Sequence, residues 1–250
     1  MVIMSGYSKE YEIFYFQVDQ FGEASVITIL DFLEDCAIAH SEAVGLGIES
    51  LLEQRTCWVL NRWRLEMERY PRLGEKVTIE TLNTGFERFY GERVFTIRDS
   101  QGNIIGKAGS LWIYLNIDKR RPTRIPLQFA DQYGVPERYE GKEPFEDLPE
   151  ITDIHSEIRF HVRRSDIDTN GHVNNTRYVE WMLEGISEES LKDYRLHRLE
   201  VIYKKETPYG TDILSQGQGA KDAGLQYLHR VLDQSGEREL ACGRTVWTKR

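Results

Sequence analysis

A carboxylate, an amide and an imidazole alternate in one short stretch of this chain. They are Asp168, Asn170 and His172, within Arg163-Arg164-Ser165-Asp166-Ile167-Asp168-Thr169-Asn170-Gly171-His172-Val173-Asn174-Asn175. A carboxylate can deliver a nucleophile or act as a general base, an imidazole can polarise a carbonyl or carry a proton, and an amide can orient either. The Asn174-Asn175 pair suits a helix cap, and a helix start presents unpaired N–H groups and a positive dipole end that favour developing negative charge. Backbone N–H groups near Val173 and Asn174 would therefore stabilise an oxyanion, at about 3–4 kcal/mol per good donor in acyl transfer. Taken singly, these residues also suit turns, a cap and packing. Their combination points to a site for an acyl carbonyl.

The elements that must position this stretch occur twice. Arg64-Leu65-Glu66 recurs as Arg198-Leu199-Glu200, and the Ser100-Gln101-Gly102 turn as Gln234-Ser235-Gly236, at a similar offset. Each half opens with an extended run and a turn-rich loop, then one amphipathic helix. In the first half Ile29, Leu33, Cys36, Ala37, His40 and Val44 fall at helical spacing, with Gly45 and Gly47 as the stop. In the second, Tyr178, Trp181, Met182, Gly185 and Ile186 do the same. Strand-like runs follow: 58–67, 76–82, 89–97 and 104–115, then 199–203, 212–219, 226–233 and 239–248. One helix with about five antiparallel strands per half predicts an α+β layered structure, a curved sheet wrapped around one long helix. Five of the seven prolines, at 122, 126, 136, 144 and 149, lie between the halves. The expected organisation is a first repeat over 1–120, a linker over 121–152 and a second repeat over 153–250.

Composition narrows the function classes. The 250 residues are 40% hydrophobic and 29% charged, with 20 Gly, which excludes collagen-like and disordered chains. The longest apolar run, 26–33, is broken by Thr28 and Asp31, and no apolar signal core opens the chain, so a cytoplasmic location is expected. A net charge of −9 disfavours nucleic acid as a partner. Cys36, Cys57 and Cys242 lack metal-site or redox spacing, so they read as reduced structural thiols, with no metal or other cofactor.

The run Asp168-x-Asn170-x-His172-Val173-Asn174-Asn175 resembles the signature of the plant and bacterial acyl-acyl carrier protein (ACP) thioesterases. That resemblance implies two hotdog folds in tandem, a double hotdog. It also implies that Asp168, Asn170 and His172 are catalytic together with Glu206, supplied by Leu199-Glu200-Val201-Ile202-Tyr203-Lys204-Lys205-Glu206. Plant members commonly carry a cysteine after that glutamate; Thr207 stands here, which excludes a thiol nucleophile at this position. Strand alternation places Glu206 in phase with Ile202 and opposite to Val201, so a bulge or strand end must turn it toward the site. The first half has Asp19-Gln20-Phe21-Gly22-Glu23-Ala24-Ser25 in the equivalent loop, without a histidine. One active site per chain is expected, with the helix face of Ile29, Leu33, Ala37 and Val44 free to line an acyl tunnel.

The implied reaction is hydrolysis of a fatty acyl-ACP thioester to free fatty acid and carrier thiol. Asp168 would act as nucleophile or as general base for water; both routes are open at this level. ACP is acidic, and Arg163, Arg164, Arg177, Arg198, Lys204 and Lys205 flank the site in sequence as candidates to receive it. The alternatives are an acyl-CoA thioesterase, an acyl-thioester hydratase or dehydratase on the same fold, and a non-catalytic acyl-chain binding protein. A homodimer is left open, because tandem repeats need no second copy.

Overall fold

A computed structural model describes residues 6–141, 143–168, 171–220 and 225–250. Its contacts divide the chain into two units. The first runs to Asn61 and resumes over Met67–Pro144; the second combines Arg62–Glu66 with Phe145–Arg250.

The first unit contains β1 (Tyr7–Glu12), α1 (Val26–Ala43), α2 (Ile48–Glu53), β2 (Thr56–Met67), β3 (Lys76–Glu87), β4 (Tyr90–Asp99), β5 (Ile104–Asn116), β6 (Arg121–Pro122) and α3 (Gln128–Gln132). Its strands lie in the order β1-β3-β4-β5-β2, with β6 added to β5. Ser25 caps α1, its hydroxyl accepting the Thr28 N–H at 3.1 Å. Spacing of three and four then turns Ile29, Leu30, Leu33, Cys36 and Ala37 inward, and α1 packs against β3 and β1. Ile29 and Leu33 expose nothing, each burial contributing about 2 kcal/mol. Val44, the C-cap residue, is half-buried and belongs to a second cluster with Leu46, Leu51, Tyr114, Ile125, Phe129 and Tyr133.

That second cluster changes the expected linker. Arg121 and Pro122 pair with β5, and Phe129 and Tyr133 are each 1% exposed in the first unit's core. The prolines mark turns within a packed segment, and the division between the units falls at Pro144/Phe145.

The second unit contains β7 (Ser156–His161), α4 (Asn175–Leu183), α5 (Glu188–Asp193), β8 (Tyr194–Tyr203), β9 (Asp212–Ala220), β10 (Leu225–Asp233) and β11 (Glu239–Lys249). Strand order is β8-β11-β10-β9-β7, every pair antiparallel. Residues 62–66 of β2 also pair with β8, in the register Arg64↔Glu200, Leu65↔Leu199 and Glu66↔Arg198. The two copies of the repeated triplet thus lie antiparallel across Leu65 and Leu199. Tyr178, Val179, Trp181 and Met182 are the buried face of α4, which packs on β9 and β10. The approach to the sheet is close: a Cβ at Gly243 would lie 2.9 Å from Met182 Sδ.

β8 begins five residues before the expected start. Arg195, His197 and Arg198 mask the strand, because they occupy its partly exposed positions while Leu196 and Leu199 are buried.

Candidate active site

The stretch from Arg163 to Asn174 is shaped by main-chain bonds. A single 3-10 turn, Arg164–Asp166, is closed by the Asp166 carboxylate, which accepts the Arg163 N–H at 2.7 Å and its guanidinium at 2.9 Å. Burial alone would raise the Asp166 carboxyl; the bonds from Arg163 hold it below the usual carboxylate range. Ile167 then bridges to Val173, the Asp168 N–H donates to the His172 carbonyl at 2.8 Å, and the Gly171 N–H donates to the Asp168 carbonyl at 3.1 Å. This tight turn requires φ +79° at Gly171, which only glycine adopts freely. It sets Asp168 beside His172, whose N–H points at Asp168 Oδ1 from 3.4 Å. Thr169 and Asn170 lie outside the described residues, so Asn170 is not placed here.

Glu206 reaches the same place from the end of β8. The N–H groups of Lys204 and Lys205 both donate to the Leu240 carbonyl, at 2.8 and 3.1 Å, which shifts the strand's phase by one residue. The shift turns Glu206 away from the side that alternation assigns to it, and its Oε2 lies 3.3 Å from His172 Nε2. Both side chains keep partial access to solvent.

The expected oxyanion donors are not available. Val173 N–H donates to the Thr207 carbonyl at 3.0 Å and Asn174 N–H to the Asp166 carbonyl at 2.8 Å. Asn174 does cap α4, its Oδ1 accepting the Thr176 N–H and hydroxyl at 2.9 and 2.8 Å. Both N–H groups are thus occupied, one by the loop's own Asp166 carbonyl and one by the Thr207 carbonyl beyond β8.

Two residues with structural roles at the site escape a reading by motif. The Tyr178 hydroxyl donates to Thr207 Oγ1 at 2.9 Å and lies 3.4 Å from the Lys205 carbonyl, so α4 grips the chain on both sides of Glu206. Burial pushes the Tyr178 phenol up to about 12, opposed by its bond to Thr207 and reinforced by the charges of Glu206 and Asp168. Thr207 is 3% exposed and holds Val173 through its carbonyl. The available signal is Tyr178 itself, a polar group on the buried stripe of α4. Removing one such bond costs about 0.5–1.5 kcal/mol. Tyr178→Phe and Thr207→Val should therefore each lower kcat up to about tenfold with KM little changed. Steady-state kinetics on folded variants checks this, and a change confined to KM would contradict it.

The first unit builds the same loop without the chemistry. Asp19 N–H donates to the Glu23 carbonyl, Gly22 N–H to the Asp19 carbonyl, Ser25 N–H to the Gln17 carbonyl and Ala24 N–H to the Pro71 carbonyl, at 2.8, 3.0, 3.0 and 2.7 Å. Gly22 has φ +72°, and Val18 bridges to Ala24. Glu23 stands where His172 stands in the second unit.

The basic residues near the site are mostly matched by acids. Arg163 pairs with Asp166 at 2.9 Å, Arg177 with Glu180 at 2.6 Å, Arg198 with Glu66 at 2.5 Å and Glu200 at 3.2 Å, and Lys204 with Glu239 at 2.7 Å. Arg164, over the Tyr209 ring at 4.6 Å, and Lys205 are exposed and have no acidic partner among the described residues. Burial pushes the Cys36 thiol up to about 11 and the Cys242 thiol to about 12. Among the described residues no His, Cys, Asp and Glu side chains group as a metal site, and no helix is long and apolar enough to cross a membrane.

Comparison with known proteins agrees over nearly the whole length. The family profile for the acyl-ACP thioesterase N-terminal domain matches residues 5–133, and that for the C-terminal domain matches 150–249. Oleoyl-acyl carrier protein thioesterase 1 of Arabidopsis thaliana is 28% identical, the match covering 98% of this chain and 76% of that one. Dodecanoyl-[acyl-carrier-protein] hydrolase of Cinnamomum camphora is 28% identical over 89% of this chain and 62% of its own. The crystal structure of an acyl-ACP thioesterase from Bacteroides thetaiotaomicron superposes with a TM-score of 0.86 at 25% identity, covering 97% and 98% of the two chains. The 12:0-ACP thioesterase of Umbellularia californica has the same fold, with a TM-score of 0.87 at 22% identity over 98% and 94%.

Proposed function

The chain belongs to the acyl-ACP thioesterase family, a tandem double hotdog, and from that premise we propose how its second unit cuts a thioester. The reaction is hydrolysis of a fatty acyl-ACP thioester: the carbon–sulfur bond breaks, the elements of water are added across it, and free fatty acid and carrier thiol leave. The observation that carries the assignment is the meeting of two segments: Glu206 Oε2 lies 3.3 Å from His172 Nε2, and Asp168 shares one turn with His172, whose main-chain N–H faces Asp168 Oδ1 at 3.4 Å.

Asp168 is the carboxylate that delivers the nucleophile, either its own oxygen or a water it deprotonates. His172 carries the proton to the departing sulfur, and Glu206 orients the imidazole and stabilises the positive charge it gains. Asn170 completes the set by resemblance. In the first unit, the α1 face of Ile29, Leu33 and Ala37 is the proposed lining for the acyl chain; Val44 sits in the separate cluster near α3.

Thiol release from acyl-ACP substrates is the direct test, and absence of turnover on every chain length would refute the proposal. A single turnover in H2(18)O detects direct attack: when water opens the acyl–Asp168 anhydride at the aspartyl carbonyl, 18O is left in Asp168, whereas base catalysis never labels Asp168 and places 18O only in the fatty acid.

Arg164 and Lys205 are the proposed contacts for the acidic carrier. Arg164→Glu with Lys205→Glu should raise KM on acyl-ACP about tenfold more than KM on an uncharged pantetheine thioester. Equal changes on the two substrates would remove these residues from the carrier surface.

A further inference from the structure

The interior of the first unit changes character at one level. On the buried face of its sheet, Val77 and Ile79 of β3, Phe95 and Ile97 of β4 and Ala108 of β5 are apolar. The next positions are polar yet equally buried: Thr81, Asn83, Arg93 and Ser110, at 2, 5, 5 and 0% exposure. Asn83 and Ser110 are the ladder partners of Arg93 on its two neighbouring strands, and directly opposed residues share a face of the sheet. The helix changes at the same place, where Ile29, Leu33 and Ala37 give way to His40, whose Nδ1 accepts from Arg93 Nη1 at 2.9 Å.

Arg93 is a buried cation in this layer. Its Nη1 also donates to Thr81 Oγ1 at 3.3 Å, and its guanidinium lies over the Tyr133 ring at 5.6 Å. No carboxylate pairs with it among the described residues. Burial brings the guanidinium down to about 10, still charged at neutral pH, and holds His40 at about 4, where it is a neutral acceptor. Asn83 Oδ1 is buried without a hydrogen-bond partner. Such groups are costly in an apolar interior unless a counter-charge and hydrogen-bond partners compensate them.

We propose that this layer binds a carboxylate carried on an aliphatic chain, with Arg93 as its counter-charge. The apolar positions beside the layer match the chain. The Asn83 amide, free to turn its nitrogen inward, and the Ser110 hydroxyl, whose oxygen accepts from Trp112 Nε1 at 2.8 Å, add donors. The proposal stands on the first unit alone and does not depend on the assignment of the thioester-cleaving residues.

Two molecules present the same group: a free fatty acid, and an acyl chain with a carboxylate at its far end. Equilibrium binding of dodecanoate against 1-dodecanol tests the first. Equilibrium binding of an ω-carboxydodecanoyl amide against the dodecanoyl amide tests the second. In at least one arm the wild-type protein should prefer the carboxylate by about tenfold, the worth of one charge-assisted hydrogen bond. Arg93→Met should bring that ratio to about one. Replacing an unpaired buried charge by an apolar side chain of similar volume tends to preserve folding. Asn83→Leu, which removes only the unpartnered amide, is the second variant and should narrow the ratio severalfold. The proposal is overturned if the wild type shows no preference in either arm, or if the preference survives in folded Arg93→Met; should that variant not fold, an unchanged ratio in Asn83→Leu overturns it.

Discussion

Asp168→Asn is expected to lower kcat on long-chain acyl thioesters by roughly 10³-fold, within the range of about 10²–10⁴ that a positioned general base contributes. The substituted amide keeps the size of the side chain and still offers an oxygen to the His172 N–H, now 3.4 Å from Oδ1, so the turn should persist. What disappears is the negative oxygen that attacks the carbonyl or deprotonates water, and neither route survives its loss. KM should change little, because the acyl chain and the carrier are held by other residues. Glu206→Gln should be milder, since Glu206 acts through the ring 3.3 Å away. Thiol release with a folded-state check by circular dichroism is sufficient. A folded Asp168→Asn protein within tenfold of wild type would remove Asp168 from the chemistry.

Acid should destabilise this fold well above the pH at which carboxylates usually titrate. His40 and His229 are each 3% exposed, and burial brings both imidazoles down to about 4. Each is organised as a neutral ring. His40 accepts from Arg93, while His229 donates to the Met182 carbonyl and accepts from Thr245, which itself accepts from Trp247. An unfolded histidine titrates near 6.5, so the unfolded chain binds more protons between about pH 6.5 and 4. The stabilisation is therefore complete above about pH 6.5 and declines as pH falls toward 4, by up to about 3 kcal/mol for each ring. The depressed carboxyls of Asp166 and Glu200 add to the loss with the same sign at lower pH. The urea midpoint should drop between pH 7 and pH 5, and His229→Gln, which keeps a donor and an acceptor but cannot titrate, should flatten that slope. Equal wild-type midpoints at the two values would contradict it.

The fold and most of the site chemistry are legible from local sequence, and the failures share a cause. Strands such as β4 and β11 alternate cleanly and end at turn residues, so their limits lie within a residue or two of expectation. β8 is masked by charged residues on its half-exposed side, and α3 by the prolines around it, although Phe129 and Tyr133 already show helical spacing. Asp168 and His172 are visible because their types are unusual together within one turn. The phase change that brings Glu206 to His172 is not, because it is made by the Leu240 carbonyl, more than thirty residues further along the chain. The occupied N–H groups of Val173 and Asn174 belong to the same class. Their acceptors are carbonyls of Thr207 and Asp166, and a carbonyl carries no residue identity for a sequence to display.

The twin loops at Asp19–Ser25 and Asp168–Asn174 have an implication for how easily this enzyme could be remade. The amide-to-carbonyl bonds that close them are the same, and the side chains they share are an aspartate, Asp19 or Asp168, that accepts main-chain N–H groups and a glycine, Gly22 or Gly171, so the geometry asks nothing of the residue after that glycine. Reactivity can be erased from such a scaffold, or written into it, while its contour persists. Glu23 offers the place to try: a histidine there would inherit a seat already cut to its backbone.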